Sequence, residues 1–292
     1  MTATALEPGL RVIVAPNPSP MTGRGTNTYL IGKTDIAVID PGPMIMPHLA
    51  AILEAVQPGQ RISHILVTHS HLDHSPLARP LAEATGAPVL AAGPSDWGRS
   101  PVMQALARED RIGGGEGIDE GFAPDRQLVH GSLIHGDGWQ IETLETPGHM
   151  ANHLSFGWAG ALFSGDLVMG WSSSLISPPD GDMTAFYASL ARLRARGDRV
   201  YYPGHGHPVT TPQDRCDALV AHRRARETAI MDALSQAPAD TAALAGRIYT
   251  DTPAALLPMA ERNILAHLID LTDRNLVETL GEMNARATFA LL

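Results

Sequence analysis

The stretch Thr68-His69-Ser70-His71-Leu72-Asp73-His74 decides the reading of this chain. It stands where the apolar run Ile65–Thr68 gives out into polar residues, as a buried strand does at a functional edge. Histidines at i and i+2 of an extended segment share a face, and a turn after them lets Asp73 and His74 point to a second, neighbouring position. Imidazole and carboxylate at this density suit a borderline cation such as zinc. A histidine-rich surface loop is the bland alternative; three histidines and an aspartate within His69–His74 weigh against it.

Three further fragments supply one donor each at the end of a strand-like run: Pro147-Gly148-His149, Ser164-Gly165-Asp166 and Pro203-Gly204-His205-Gly206. Singly, each is an ordinary turn. Four strand-end sites in one chain make a pattern, and their glycines let the backbone approach a ligand closely. Strands are expected at Leu10–Val14, Thr28–Ile31, Asp35–Ile39, Ile65–Thr68, Pro88–Ala92, Ile141–Leu144, Leu154–Trp158, Ala161–Ser164 and Arg199–Tyr202. Helical spacing covers Pro47–Val56, Ser75–Ala84 and Thr184–Arg196, while Ser100–Asp125 reads as a long, partly helical excursion. After Pro212 the character changes to helices at Asp214–Ser235, Thr241–Tyr249 and Leu256–Asp273. A hairpin, Leu276–Leu280 with Ala287–Leu291, closes the chain. This divides it into residues 1–213 and a small winged-helix-like unit, residues 214–292.

The order H-x-H-x-D-H, lone His, Asp, final His resembles the metallo-β-lactamase superfamily. That resemblance implies an α/β fold, an αββα sandwich with its site at one edge of two sheets, followed here by the winged helix. It also implies that His69, His71 and His149 hold one metal and Asp73, His74 and His205 a second, with Asp166 bridging them. The ions expected are two Zn2+, with Mn2+ or Fe also suited to these donors. Asp73 and Asp166 are the expected catalytic carboxylates, and Asp40, in Val38-Ile39-Asp40-Pro41-Gly42, is expected to orient ligands. A nearer resemblance, to the β-lactamase-like protein two family, rests on several shorter motifs. These are Asn17-Pro18-Ser19-Pro20-Met21, Gly25-Thr26-Asn27-Thr28-Tyr29-Leu30, His222-Arg223-Arg224, Ile248-Tyr249 and Ala260-Glu261-Arg262.

Departures from relatives narrow the chemistry. Asp166 is present and no cysteine is placed to be a ligand, unlike many true lactamases. The flavodoxin domain of flavo-diiron relatives and the basic glutathione-binding residues of glyoxalase II are missing. What remains is hydrolysis of an ester, thioester, amide or phosphodiester by a metal-bridging hydroxide. Trp171-Ser172-Ser173-Ser174, soon after Asp166, reads either as the lining of a substrate pocket or as a simple polar turn with one packed Trp. His207 reads as an exposed turn residue, and Cys216 as a packed thiol.

Composition bounds the rest. The chain has 292 residues, 44% of them hydrophobic, and folds of this size bury roughly 75% of their unfolded surface without needing metals or disulfides. One cysteine excludes a disulfide framework or a multi-cysteine zinc site. No secretory signal or membrane span is visible, so the expectation is a cytoplasmic protein with no membrane partner. A net charge of −10 and 5% aromatics disfavour polyanion binding. The leading expectation is a hydrolase of a small-molecule or carrier-bound ester, thioester or amide. An endoribonuclease cutting single-stranded RNA, an activity associated with the resembling family, is the alternative. A non-catalytic DNA-binding protein is the third reading. Duplex DNA is not an expected partner, because Leu256–Asp273 offers only Arg262 against Glu261, Asp270 and Asp273. That unit is instead expected to pack on the catalytic part or on another copy in a homo-oligomer.

Overall fold

Residues 1–292 are all described in the computed structural model. Alternating apolar residues near the start build four antiparallel strands: β1 (Thr4–Glu7), β2 (Leu10–Val14), β3 (Asn27–Ile31) and β4 (Asp35–Ile39). Three parallel strands extend the sheet in chain order: β5 (Arg61–Leu66), β6 (Val89–Ala91) and β7 (Arg126–Gln127). Parallel neighbours need crossovers. Helices α1 (Met46–Glu54) and α2 (Ala78–Thr85) supply the first two, and α3 (Pro101–Glu109) lies in the third.

The second sheet runs β12 (Val200–Pro203), β11 (Ala161–Gly165), β10 (Leu154–Trp158), β9 (Trp139–Glu145) and β8 (Leu133–Gly136) across its width. Helix α4 (Met183–Arg196) makes its one parallel crossover, from β11 to β12. Tyr29, Ile39 and Leu66 of the first sheet pack against Ile141, Leu154, Phe156 and Phe163 of the second. The outer faces are closed by α1 and α2 on one side, and by α4 with α5 (Pro212–Gln236) on the other. The result is the expected αββα sandwich.

Helices α6 (Thr241–Ile248) and α7 (Leu257–Asp273) and the antiparallel pair β13 (Val277–Thr279) and β14 (Phe289–Leu291) complete the chain. Leu244, Ile264, Leu268, Val277 and Phe289 form their core with Ile230 and Leu234 of α5. Met103, Leu106 and Ile112 join the same core, so the 100–125 excursion is a buttress between the sandwich and the C-terminal elements. No helix is long and apolar enough to cross a membrane.

The structure corrects the reading in a few places. The strand expected at Ile65–Thr68 is Arg61–Leu66, because the Thr68 N–H leaves the ladder to donate to Asp40 Oδ1 at 2.7 Å. Strands β1, β7 and β8 are additions. Each is short and edge-like, and β7 is exposed throughout, so none carries a clear alternation.

His267 in α7 is fully buried, and neither ring nitrogen has a partner. Burial, aided by the positive Arg223 and Arg224 nearby, pushes its pKa down to about 3. The unfolded chain therefore takes up a proton near pH 6.5 that the folded chain refuses until about pH 3. This stability is intact above pH 6.5 and drains away as pH falls through that window, by on the order of 1.4 kcal/mol per pH unit. His267→Leu is expected to flatten the acid limb of a stability–pH profile measured by urea unfolding. An unchanged limb would refute the assignment.

Candidate metal centre

The donors lie where strands end on one edge of the sandwich. His69, His71, Asp73 and His74 follow β5, His149 follows β9, Asp166 follows β11 and His205 follows β12. Asp40, just after β4, has φ +51 and is almost completely buried. It accepts from the Thr68 N–H and Oγ1–H at 2.7 and 2.8 Å and from His74 Nδ1 at 2.9 Å.

Each imidazole but one is held from outside by one nitrogen and turns the other inward. His69 Nδ1 donates to Thr68 Oγ1 (2.9 Å), His149 Nδ1 to the Leu175 carbonyl (2.6 Å), and His205 Nδ1 to the Gly25 carbonyl (3.1 Å). His74 is held by Asp40. His71 Nδ1 faces His69 Nε2 at 2.9 Å and His149 Nε2 at 3.0 Å. On the other side His205 Nε2 lies 3.0 Å from Asp73 Oδ2 and 3.2 Å from Asp166 Oδ2, with His74 Nε2 3.4 and 3.5 Å from the same carboxylates.

The seven expected residues thus come together in three overlapping groups: His69, His71 and His149; His69, His74 and Asp166; Asp73, His74 and His205. Within each group the donor atoms lie within 4.8 Å of one another. Two inward atoms, His74 Nε2 and Asp166 Oδ1, are buried with no hydrogen-bond partner. An unpaired buried polar atom is costly, and here both turn toward the other inward nitrogens and oxygens. Nitrogen and oxygen donors in this arrangement fit divalent cations.

Electrostatics separates the two halves. Burial, then the neighbouring imidazoles, pushes His71 down to about 3 and His69 well below the ordinary histidine value. His74 and His205 go the other way against burial, because Asp73 and Asp166 adjoin them; His205 rises to about 10. Burial alone would raise the two carboxylates, but the same two imidazoles hold both below the usual range.

Several supporting residues were not singled out by sequence reasoning. His153, fully buried, donates from Nδ1 to Thr146 Oγ1 (2.9 Å) and accepts the Asp166 N–H at Nε2 (3.2 Å). Its signal was present in His149-Met-Ala-Asn-His153, a second histidine after a strand-end turn. Thr26, part of a quoted motif without an assigned role, donates to Asp73 Oδ2 at 3.3 Å. Trp171 does line a cavity, of about 680 Å³, with Leu6, Val12, Val14 and Tyr29 on its apolar side and Arg24 and the exposed His207 also lining it. The serines that follow Trp171 diverge from it: Ser174 is buried and donates to the Asp166 carbonyl. Arg223, also part of a quoted motif without an assigned role, is buried. Cys216 is a packed thiol, as read.

Residues 21–205 match the family model described as metallo-beta-lactamase superfamily. The chain belongs to that superfamily. Residues 241–286 match a second model, the beta-lactamase associated winged helix domain, over α6, α7 and the start of the closing hairpin. Among curated superfamily relatives, the beta-lactamase-like protein 2 homolog of Drosophila melanogaster is 28% identical over 273 residues, covering 89% of this chain and 86% of the relative. An atrochrysone carboxyl ACP thioesterase of Aspergillus fumigatus is 27% identical over 242 residues, covering 78% of this chain and 66% of that one. A metallo-beta-lactamase family protein from Thermus thermophilus superposes with a TM-score of 0.79 at 25% identity, covering 99% of this chain and all of that one.

Proposed function

We propose that this chain is a dinuclear metal-dependent hydrolase of a carrier-bound or small-molecule thioester or ester. The observation that carries the reading is the convergence of five imidazoles and two carboxylates, with inward atoms buried and unpaired. In this reading His69, His71 and His149 would hold one cation and Asp73, His74 and His205 the other, with Asp166 available to both. Zinc suits the donors best, and manganese or iron are compatible. Two bound cations supply Lewis acidity and a water acidified towards a pKa of ~7.

The chain's own residues then set direction. Thr68, Asp40, Leu175 and Gly25 fix ring tautomers, so that a lone pair faces the centre without reorganisation. Asp166 is held from behind at its N–H by His153 and at its carbonyl by Ser174, and keeps negative charge at the middle. Asp73 is about a quarter exposed, so one edge of its carboxylate is available to solvent and substrate. The apolar cavity lined by Gly25 and Gly206, which adjoin His205, suits the non-reacting part of an acyl substrate. The thioester is favoured over other acyl bonds by the relative named as an ACP thioesterase.

Arg262, the single basic residue of α7, donates to the Ser177 hydroxyl and to the carbonyls of Ile112 and Pro178. It is therefore spent inside the molecule, and duplex DNA stays outside the proposed partners. The test is a panel of acyl-carrier thioesters, small esters, lactams, single-stranded RNA and duplex DNA, run on metal-loaded and chelated protein. Thioester or ester cleavage is expected, abolished by chelator while the far-UV circular dichroism is retained. RNA cleavage without acyl hydrolysis would overturn the reading.

A further inference from the structure

Arg223 sits at the middle of α5 and is 2% exposed, yet it is in no ion pair. A buried charge without a counter-ion is expensive, so its contacts bear inspection. It donates through Nη1 to Asn263 Oδ1 of α7 at 2.9 Å and through Nη2 to the Ser174 carbonyl, with its guanidinium 5.5 Å from the Phe186 ring centroid. Asn263 Oδ1 also accepts the Ile176 N–H at 3.1 Å, while its amide nitrogen donates to the Met259 carbonyl at 3.0 Å.

The Ile176 N–H and the Leu175 carbonyl belong to one peptide plane. In a trans peptide the two point in opposite directions. The N–H is tied to Asn263, and the carbonyl on the other side accepts His149 Nδ1–H at 2.6 Å. One residue earlier, Ser174 gives its carbonyl to Arg223 and its hydroxyl to the Asp166 backbone. Three consecutive residues therefore join α5 and α7 to the backbone of Asp166 and the ring of His149.

We propose that Asn263 and Arg223 are positioning residues, which clamp Ser174–Ile176 and through it aim His149 Nε2 and Asp166 at the metal centre. The C-terminal elements are then part of the metal site's framework. This rests on the metal reading above. Partners that orient metal-ligating histidines commonly alter affinity 10–100-fold when removed.

The experiment uses full-length, metal-stripped protein titrated with Co(II), followed by visible absorption and by the thermal midpoint of each metal-free variant. Asn263→Ala is expected to weaken one of two cobalt sites 10–100-fold and to change the absorption band. Asn263→Asp keeps an acceptor for both hydrogen bonds and is expected to titrate like wild type. Arg224→Met removes a neighbouring arginine that pairs with Glu227 at 2.6 Å instead, and is expected to leave both sites unchanged. Should Asn263→Ala not fold, Arg223→Gln is read the same way, with the same loss expected. The proposal is overturned if the alanine variant titrates as wild type, if the aspartate variant loses as much as alanine, or if Arg224→Met does. Wild-type protein that takes up no cobalt would overturn the metal reading along with it, whereas wild-type uptake with an unaffected alanine variant overturns this proposal alone.

Discussion

Asp166→Ala is expected to lower metal content to one ion per chain or less and to cut hydrolysis about a thousandfold or more. The Asp166 carboxylate lies within 3.9 Å of imidazoles assigned to both halves: His149 on one side, His74 and His205 on the other. Removing it takes away the shared anion and leaves Asp73 as the carboxylate beside the inward Nε2 of His74. Loss of Lewis-acid stabilisation worth several kcal/mol corresponds to about a thousandfold in rate. Elemental analysis together with turnover measures both. One tightly bound ion in the wild type, unchanged in the variant, would refute the dinuclear reading; two ions retained in the variant would refute the bridging role of Asp166.

Gly204→Ala is expected to act almost as severely, without deleting a donor. A Cβ at Gly204 would stand 2.3 Å from Asp166 Oδ1 and 2.7 Å from His74 Cε1, closer than real atoms approach. Both neighbours are buried and anchored, His74 by Asp40 and Asp166 by His153 and Ser174, so neither can step aside freely. Overpacking of this kind costs about 1–3 kcal/mol of stability, and displacing either ligand should release one ion. A variant with wild-type metal content and thermal midpoint would show that the glycine is dispensable.

The seven clustered residues were legible because each group stands where a strand stops: His69–His74 after an apolar run, and His149, Asp166 and His205 each directly after a glycine. The sandwich was legible through alternation in segments such as Leu10–Val14 and Leu154–Trp158, both found at the expected bounds. The supports were harder to read. His153, Ser174 and Asn263 reach backbone partners 13, 8 and 87 residues away, and no local period marks such a pairing. Arg223 illustrates the limit most clearly. In Arg223-Arg224 two like residues sit side by side, and only the fold separates a buried guanidinium from one that pairs at the surface with Glu227.

Helix α5 runs 25 residues, about 37 Å at 1.5 Å per residue. Cys216 and Leu219 belong to the core beneath the second sheet, while Ile230 and Leu234 belong to the C-terminal core. A continuous rod fixed at both ends transmits torque but allows little hinge. Swinging the C-terminal elements away from the sandwich would mean snapping the helix or tearing apolar side chains from one of two interiors. On the proposed reading, a swing of the C-terminal elements is therefore not the way in, and the seating of those elements on the sandwich is part of the resting shape that a substrate meets.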